Sequence, residues 1–271
     1  MAEFIFEGKK VYYETYGEGK PLLLLNGIMM SCASWKEFIE PLSAQNMLIL
    51  VDMLDQGKSE KMTESYDHAI QIRLVDALLN ELQLESCVIA GISYGSEVGL
   101  EYAILHPDRV ERLLLFNATA ATGPWLDDIG KAWNLASANP ESYYYTSIPV
   151  IYSPRFYTQN NDWMERRRKI LYPVFSNEGF INAMIRLTNS SSNYDVRDRL
   201  DKIMCPTLIV SCQQDYLTPV DEQKYLADHI ADSHYLIIQN SGHASMYEQP
   251  MLFASLILGF ANASKAKYNI T

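Results

Sequence analysis

The chain predicts an α/β fold: a mostly parallel, twisted sheet with helices on both faces and a helical insertion. Three observations carry this. Short apolar runs alternate with segments of helical periodicity from Leu22 to Phe116. The alternation stops across residues 121–200 and resumes at Thr207. One apolar run, residues 88–90, passes into Gly91-Ile92-Ser93-Tyr94-Gly95 just before a helix-like segment. Continuous apolar runs suit strands covered on both faces, and strand–helix alternation implies right-handed parallel crossovers.

Phe4 and Phe6 alternate with polar residues, Glu7-Gly8-Lys9-Lys10 reads as a turn, and residues 11–16 form a second strand. That is an antiparallel hairpin. Residues 18–21 read as a loop, 22–25 as a buried strand, 34–42 as a helix and 47–51 as the next strand. Residues 52–65 form a polar loop. A helix starts at Asp67, with Ile72, Val75, Leu78, Leu79 and Leu82 on one face. Strands follow at 87–90 and 110–116, separated by a helix over 96–106. Residues 121–200 hold no run that reads as a buried strand. They carry Trp125, Trp133, Trp163, Tyr143, Tyr144, Tyr145, Phe156 and Phe175, with helical patterns at 127–138 and 161–172. This segment is expected to be a helical cap (lid) over a core made of residues 1–120 and 201–271, some of its aromatics lining a substrate pocket. The core resumes with a strand at 207–212, a helix at 221–230, a strand at 234–239 and a closing helix at 246–263. The polar tail 265–271 is expected to fray.

The 271 residues suit one large domain or a domain with an insertion, and 48% apolar residues are enough for a sizeable core. A net charge of −11 argues against nucleic acid or an anionic membrane as partner. The basic run Arg166-Arg167-Arg168-Lys169 reads as a solvated helix face. The N-terminus lacks the pattern of a signal peptide, and no apolar run approaches the ~18–20 residues of a membrane span. Cys32, Cys87, Cys205 and Cys212 are widely spaced, which fits buried thiols in a reducing cytoplasm better than disulfides. There is no Cys-x-x-Cys, and the five histidines are scattered, so no metal site is expected.

In open α/β sheets, sites form beyond the carboxyl ends of the strands. Four such ends carry candidates: Asn26-Gly27-Ile28, Ser93, Asp215 and His243. The Gly-x-Ser-x-Gly pattern alone is weak, arising by chance in roughly one chain in ten of this length. Gly91 and Gly95 would leave room where strand and helix pass closely, with Ser93 on a strained bend between them. Serine needs a base within hydrogen-bond reach, a neutral imidazole can take and return the proton, and a buried carboxylate holds the imidazole tautomer. Asn117, after the strand behind Ser93, sits where another acid could stand. It is an amide, which leaves Asp215 as the candidate.

With Ser, Asp and His in this order, the chain resembles the α/β-hydrolase fold superfamily, in the branch of small proteins with a helical cap. That branch includes carboxylesterases, enol-lactone hydrolases and carbon–carbon bond hydrolases. The resemblance covers nearly the whole chain. It implies Ser93 as nucleophile, Asp215 as acid and His243 as base, with the backbone amides of Ile28 and Tyr94 as oxyanion hole and Gly27 allowing the tight turn there. The family usually has His-Gly where this chain has Asn26-Gly27. The donor is backbone, so the hole is expected to survive. The family also commonly has Asp-x-x-Gly-x-Gly-x-Ser after its next strand. Here the stretch is Asp52-Met53-Leu54-Asp55-Gln56-Gly57-Lys58-Ser59, a loop expected to be structural. Ser96 stands where relatives often have glycine, and it is small enough to keep the helix close.

The expected function is hydrolysis of an ester, thioester or lactone through an acyl-serine, with a mainly apolar small-molecule substrate and no cofactor, by a cytoplasmic monomer or homodimer. A second enzymatic reading is carbon–carbon bond hydrolysis, for which Arg155, Arg166 or Arg186 could hold a carboxylate, although each reads more readily as an ordinary surface arginine. A reading from another class is a ligand-binding or signalling protein that keeps the fold.

Overall fold

The computed structural model describes residues 1–264; the tail 265–271, expected to fray, lies outside the described residues. The sheet has eight strands: β1 Ala2–Phe6, β2 Lys9–Tyr16, β3 Lys20–Leu25, β4 Asn46–Val51, β5 Cys87–Ile92, β6 Val110–Phe116, β7 Thr207–Cys212 and β8 Ser233–Ile238. They lie in the order β1-β2-β4-β3-β5-β6-β7-β8. The opening hairpin is antiparallel, β2 joins β4 antiparallel through Tyr13 opposite Val51, and the remaining neighbours are parallel. The continuous apolar runs occupy the centre: all six residues of β5 are buried, as are the last four of β3. Strand β3 begins inside the expected loop. Lys20 and Pro21 pair with β4, whereas pairing to β5 starts only at Leu22, so Pro21 sits at a strand start where one side is still open.

Helices α2 Ala69–Glu81 and α3 Tyr94–Leu105 cover the sheet early in the chain, and α9 Val220–His229 joins β7 to β8. Two expected helices are broken by proline. The one placed at 34–42 is a 3-10 helix, Cys32–Phe38, followed by α1, Ile39–Ser43. Pro41 has no N–H to continue an α-helical ladder through this point. The closing helix divides at Pro250 into α10, Ser245–Glu248, and α11, Pro250–Ala261.

Between β6 and β7 lie α4 Pro124–Ala136, α5 Pro140–Ser147, α6 Pro154–Gln159, α7 Asn161–Phe175 and α8 Glu178–Ser190. Three of them start on proline, which suits a first helical position. Asn139, Ser153 and Asn177 accept the backbone N–H three residues on, fixing the starts of α5, α6 and α8. The aromatics pack together: Tyr143 meets Phe175 edge-on with ring centroids 4.9 Å apart. At the neck the entering and leaving chains pair, with Val196 N donating to Ala120 O at 2.8 Å and Thr122 N to Tyr194 O at 2.9 Å. No helix among the described residues is long and apolar enough to cross a membrane.

Candidate active site

Strand β5 delivers Ser93 at its carboxyl end with φ 54° and ψ −123°, a backbone region costly for a non-glycine residue. The bend is held by Ser93 N donating to Phe116 O at 2.9 Å, and by Ser96 N donating back to Ser93 O at 2.7 Å. Both flanking glycines are required by close approach. A Cβ on Gly91 would lie 2.4 Å from Gly95 O, and one on Gly95 would lie 2.3 Å from Leu25 O. Ser96 does more than stay small: its buried hydroxyl donates to Phe116 O at 3.0 Å, pinning α3 to β6. As first residue of α3, Tyr94 presents an N–H with no intrahelical acceptor at the positive end of the helix dipole.

Beyond β3, Asn26 is fully buried. Its amide donates to Val51 O at 2.7 Å and to Gln56 Oε1 at 3.1 Å, and its oxygen accepts Trp35 Nε1 at 2.6 Å. Gln56 Nε2 then donates to Gly27 O at 3.0 Å, so the peptide that carries the Ile28 N–H is held from outside. The Asp52–Ser59 stretch is therefore structural, and its Gln56, between Asp55 in the first glycine's place and Gly57, works with Asn26 in histidine's place. Neither residue alone signals this. The pairing becomes visible only when the two strand ends are side by side.

Asp215 follows β7 and His243 follows β8, and the two meet: His243 Nδ1 lies 2.7 Å from Asp215 Oδ2. Both are buried. Asp215 Oδ1 accepts Leu217 N at 2.8 Å and Thr218 N at 3.0 Å, while Oδ2 also accepts the Thr218 hydroxyl at 2.9 Å. A carboxylate so held keeps the proton on Nδ1 and leaves Nε2 as the basic nitrogen. Asn117, an amide that cannot act as the acid, fastens the histidine loop instead, its Nδ2 donating to His243 O at 2.6 Å.

Two further braces escaped sequence reading. Buried Gln223 donates to Ala118 O at 2.7 Å and Thr218 O at 3.2 Å, tying the Asp215 loop to the chain just beyond β6. Glu248 Oε1 accepts Gly242 N at 3.0 Å and Ser153 N at 2.9 Å, joining the histidine loop to the start of α6. Glu248→Ala strands both amides. It is expected to destabilise by about 2–4 kcal/mol and to lower kcat more than Glu248→Gln does. Urea denaturation and kcat of both variants check this, and equal values would contradict it.

Ser93, His243, Ile28 and Tyr94 line one cavity of about 1000 Å³, walled on its other side by apolar residues of the insertion such as Trp133, Leu171 and Phe175. None of the three arginines considered for a carboxylate lines the cavity. Arg186 is engaged by buried Asp55 at 2.6 and 2.9 Å, and Arg155 and Arg166 are exposed. The basic run is not a wholly solvated face. Arg167 lines the cavity, stacks on Trp163 and Tyr247, and its buried Nε lacks a hydrogen-bond partner among the described residues.

Glu97, one turn along α3 from Ser93, also lines the cavity. Burial pushes its carboxyl up from 4.5 to about 7, against the pull of the Thr119 hydroxyl and His243. The folded state therefore holds this proton more tightly than the unfolded chain does. The resulting stability is complete below pH 4.5 and is lost as pH rises through 7. Glu97→Gln removes that dependence, so the variant should gain on wild type across this window. Denaturant melts at a series of pH values measure it, and parallel curves would contradict it.

The profile of the alpha/beta hydrolase fold matches residues 20–250. The chain belongs to this family. Among solved structures, the α/β hydrolase MGS-M2, from a Medee basin deep-sea metagenome library, is 45% identical with a TM-score of 0.97 over 99% of this chain and 100% of its own. RutD of Azorhizobium caulinodans, whose name ascribes carbamate hydrolysis to it, is 28% identical over 92% of this chain and 94% of its own length. The 3-oxoadipate enol-lactonase 2 of Acinetobacter baylyi is 27% identical over 89% of each. Within the α/β-hydrolase fold, the four strand ends that carry Asn26, Ser93, Asp215 and His243 are the ones that sequence reading singled out.

Proposed function

We propose that the protein is a serine hydrolase that cleaves a carboxylic ester, thioester or lactone through an acyl-Ser93 intermediate. The observation that carries this reading is the buried Asp215–His243 pair at 2.7 Å, opening with Ser93 onto one largely apolar cavity. Ser93 Oγ attacks the carbonyl carbon while His243 Nε2 takes its proton. The imidazolium that forms is stabilised by Asp215. The amides of Ile28 and Tyr94 receive the oxyanion, and preorganised donors of this kind lower the barrier most where charge develops. The tetrahedral species collapses, His243 protonates the leaving group, and a water activated by the same nitrogen releases the acid. Ser93 and His243 make no hydrogen bond to each other among the described residues, and that contact forms when substrate is seated. The enol-lactonase relative supports a lactone among the candidate substrates, and RutD a carbamate.

A panel of small nitrophenyl esters, thioesters and lactones tests this reading. Hydrolysis of at least one should fall about 10⁴-fold or more in Ser93→Ala. A variant that keeps a tenth of the activity would overturn it.

Arg167 favours a second reading. Its guanidinium faces the cavity with no carboxylate partner among the described residues, and could hold the carboxylate of a dienoic diketone cleaved at a carbon–carbon bond. Arg167→Met should then raise KM for acidic substrates and spare neutral esters.

A further inference from the structure

Five acidic side chains are buried among the described residues: Glu14, Asp52, Asp55, Glu97 and Asp215. Four of them have both carboxyl oxygens engaged. Glu14 accepts the Tyr12 and Tyr16 hydroxyls, one on each oxygen. Asp52 accepts the Cys32 and Lys58 amides. Asp55 accepts Met62 N and the Arg186 fork, and Asp215 its four donors. Glu97 differs. Its Oε1 accepts the Thr119 hydroxyl at 3.1 Å, and no donor reaches Oε2 among the described residues.

Burying a carboxyl without its hydrogen bonds is unfavourable, and native structures rarely do it without a use. Glu97 is also placed where a use exists. It stands one turn beyond Ser93, its N–H donating to Ser93 O at 3.1 Å, and lines the cavity that holds Ser93 and His243. The cavity's cationic side chains, Lys61, Lys131 and Arg167, form no ion pair with it. Its second oxygen is therefore open to whatever enters.

We infer that Glu97 is a specificity-determining residue of this cavity, taking a protonated amine or other N–H donor of the substrate on its free oxygen. The inference rests on the cavity being the substrate site of the hydrolase proposed above. A bound ammonium would replace the missing donor and favour the ionised carboxyl. A carbon isostere would leave that oxygen without a donor. A charge-assisted hydrogen bond of this kind corresponds to about 10- to 100-fold in affinity.

The test reads binding without turnover, in the Ser93→Ala background, so that it stands apart from whether Ser93 is reactive. Two isosteric ester pairs place the amine on either side of the carbonyl. One is 2-(dimethylamino)ethyl acetate against 3-methylbutyl acetate, and the other is methyl 3-(dimethylamino)propanoate against methyl 4-methylpentanoate. Titration calorimetry at pH 7.5 gives the affinity ratio within each pair. Ser93→Ala should prefer at least one amine by about tenfold or more. Adding Glu97→Gln should bring that ratio to about one, with the fold unchanged by circular dichroism. No preference in Ser93→Ala, or the same preference in both variants, would overturn the inference. Failure of the hydrolase reading shows separately, as Ser93 unreactive toward acylating probes in the wild-type protein.

Discussion

Asp215→Asn should leave the fold intact and lower kcat about 10⁴-fold. The size of the effect follows from which way the new amide must face. Oδ1 accepts two backbone N–H groups, from Leu217 and Thr218, so that position has to remain an oxygen. The amide nitrogen is then directed at His243 Nδ1, 2.7 Å from the present Oδ2. Two donors cannot face each other. The imidazole answers by carrying its proton on Nε2, the nitrogen that the proposed mechanism needs as acceptor of the Ser93 proton. Thr218, which donates to Oδ2, loses an acceptor as well. Thermal melts of the variant should stay near wild type while ester turnover collapses. A fall of less than tenfold would remove Asp215 from the mechanism.

Gly95→Ala should be the most damaging single methyl in the core. The added Cβ would lie 2.3 Å from Leu25 O, 2.5 Å from Leu25 C and 2.7 Å from Asn26 O. These are backbone atoms of β3 and of the loop that carries Ile28, so none can swing aside as a side chain would. Relief requires α3 to move off the sheet, which displaces Ser93 and the Tyr94 amide together. Overpacking of this kind costs about 3 kcal/mol or more, and at 2–4 °C per kcal/mol the melting temperature should drop by roughly 6–12 °C. Gly259→Ala on α11 is the matched control, since a Cβ there meets nothing within 4 Å. It should be neutral or stabilising by about 0.5–1 kcal/mol. Similar melting temperatures for the two variants would contradict the packing account.

The parallel core was legible because its strands are apolar on both faces and its helices are not. β5, with every residue buried, and the one-sided pattern of α2 are read from local sequence alone. Breaks at Pro41 and Pro250 were legible in principle, since proline removes the N–H that a continuous helix needs. The insertion was read only as helical. α5 has three consecutive tyrosines and a weak apolar stripe, and its start depends on the Asn139 side chain, a contact too short-range to show as periodicity. The site divides the same way. Ser93, Asp215 and His243 lie at strand ends in a recognisable order. Gln56, Gln223 and Glu248 support them from loops and helices far away in sequence, and nothing local marks those residues. Arg167 was read with its basic neighbours as a solvated face. Trp163 is its neighbour one turn back on α7, but Tyr247 covers it only once α7 meets α10, a contact between residues distant in the chain. Glu97 stands in the first turn of α3, where an acid is ordinary, and only the burial of α3 against β5 and β6 makes it unusual.

The central claim is that Ser93 is an activated nucleophile open to the cavity. The most direct measurement is the intact mass of the protein after treatment with a small fluorophosphonate, for wild type and Ser93→Ala. The account predicts one phosphonyl adduct per wild-type chain and none on the variant. An unlabelled wild type, or equal labelling of both, would contradict it.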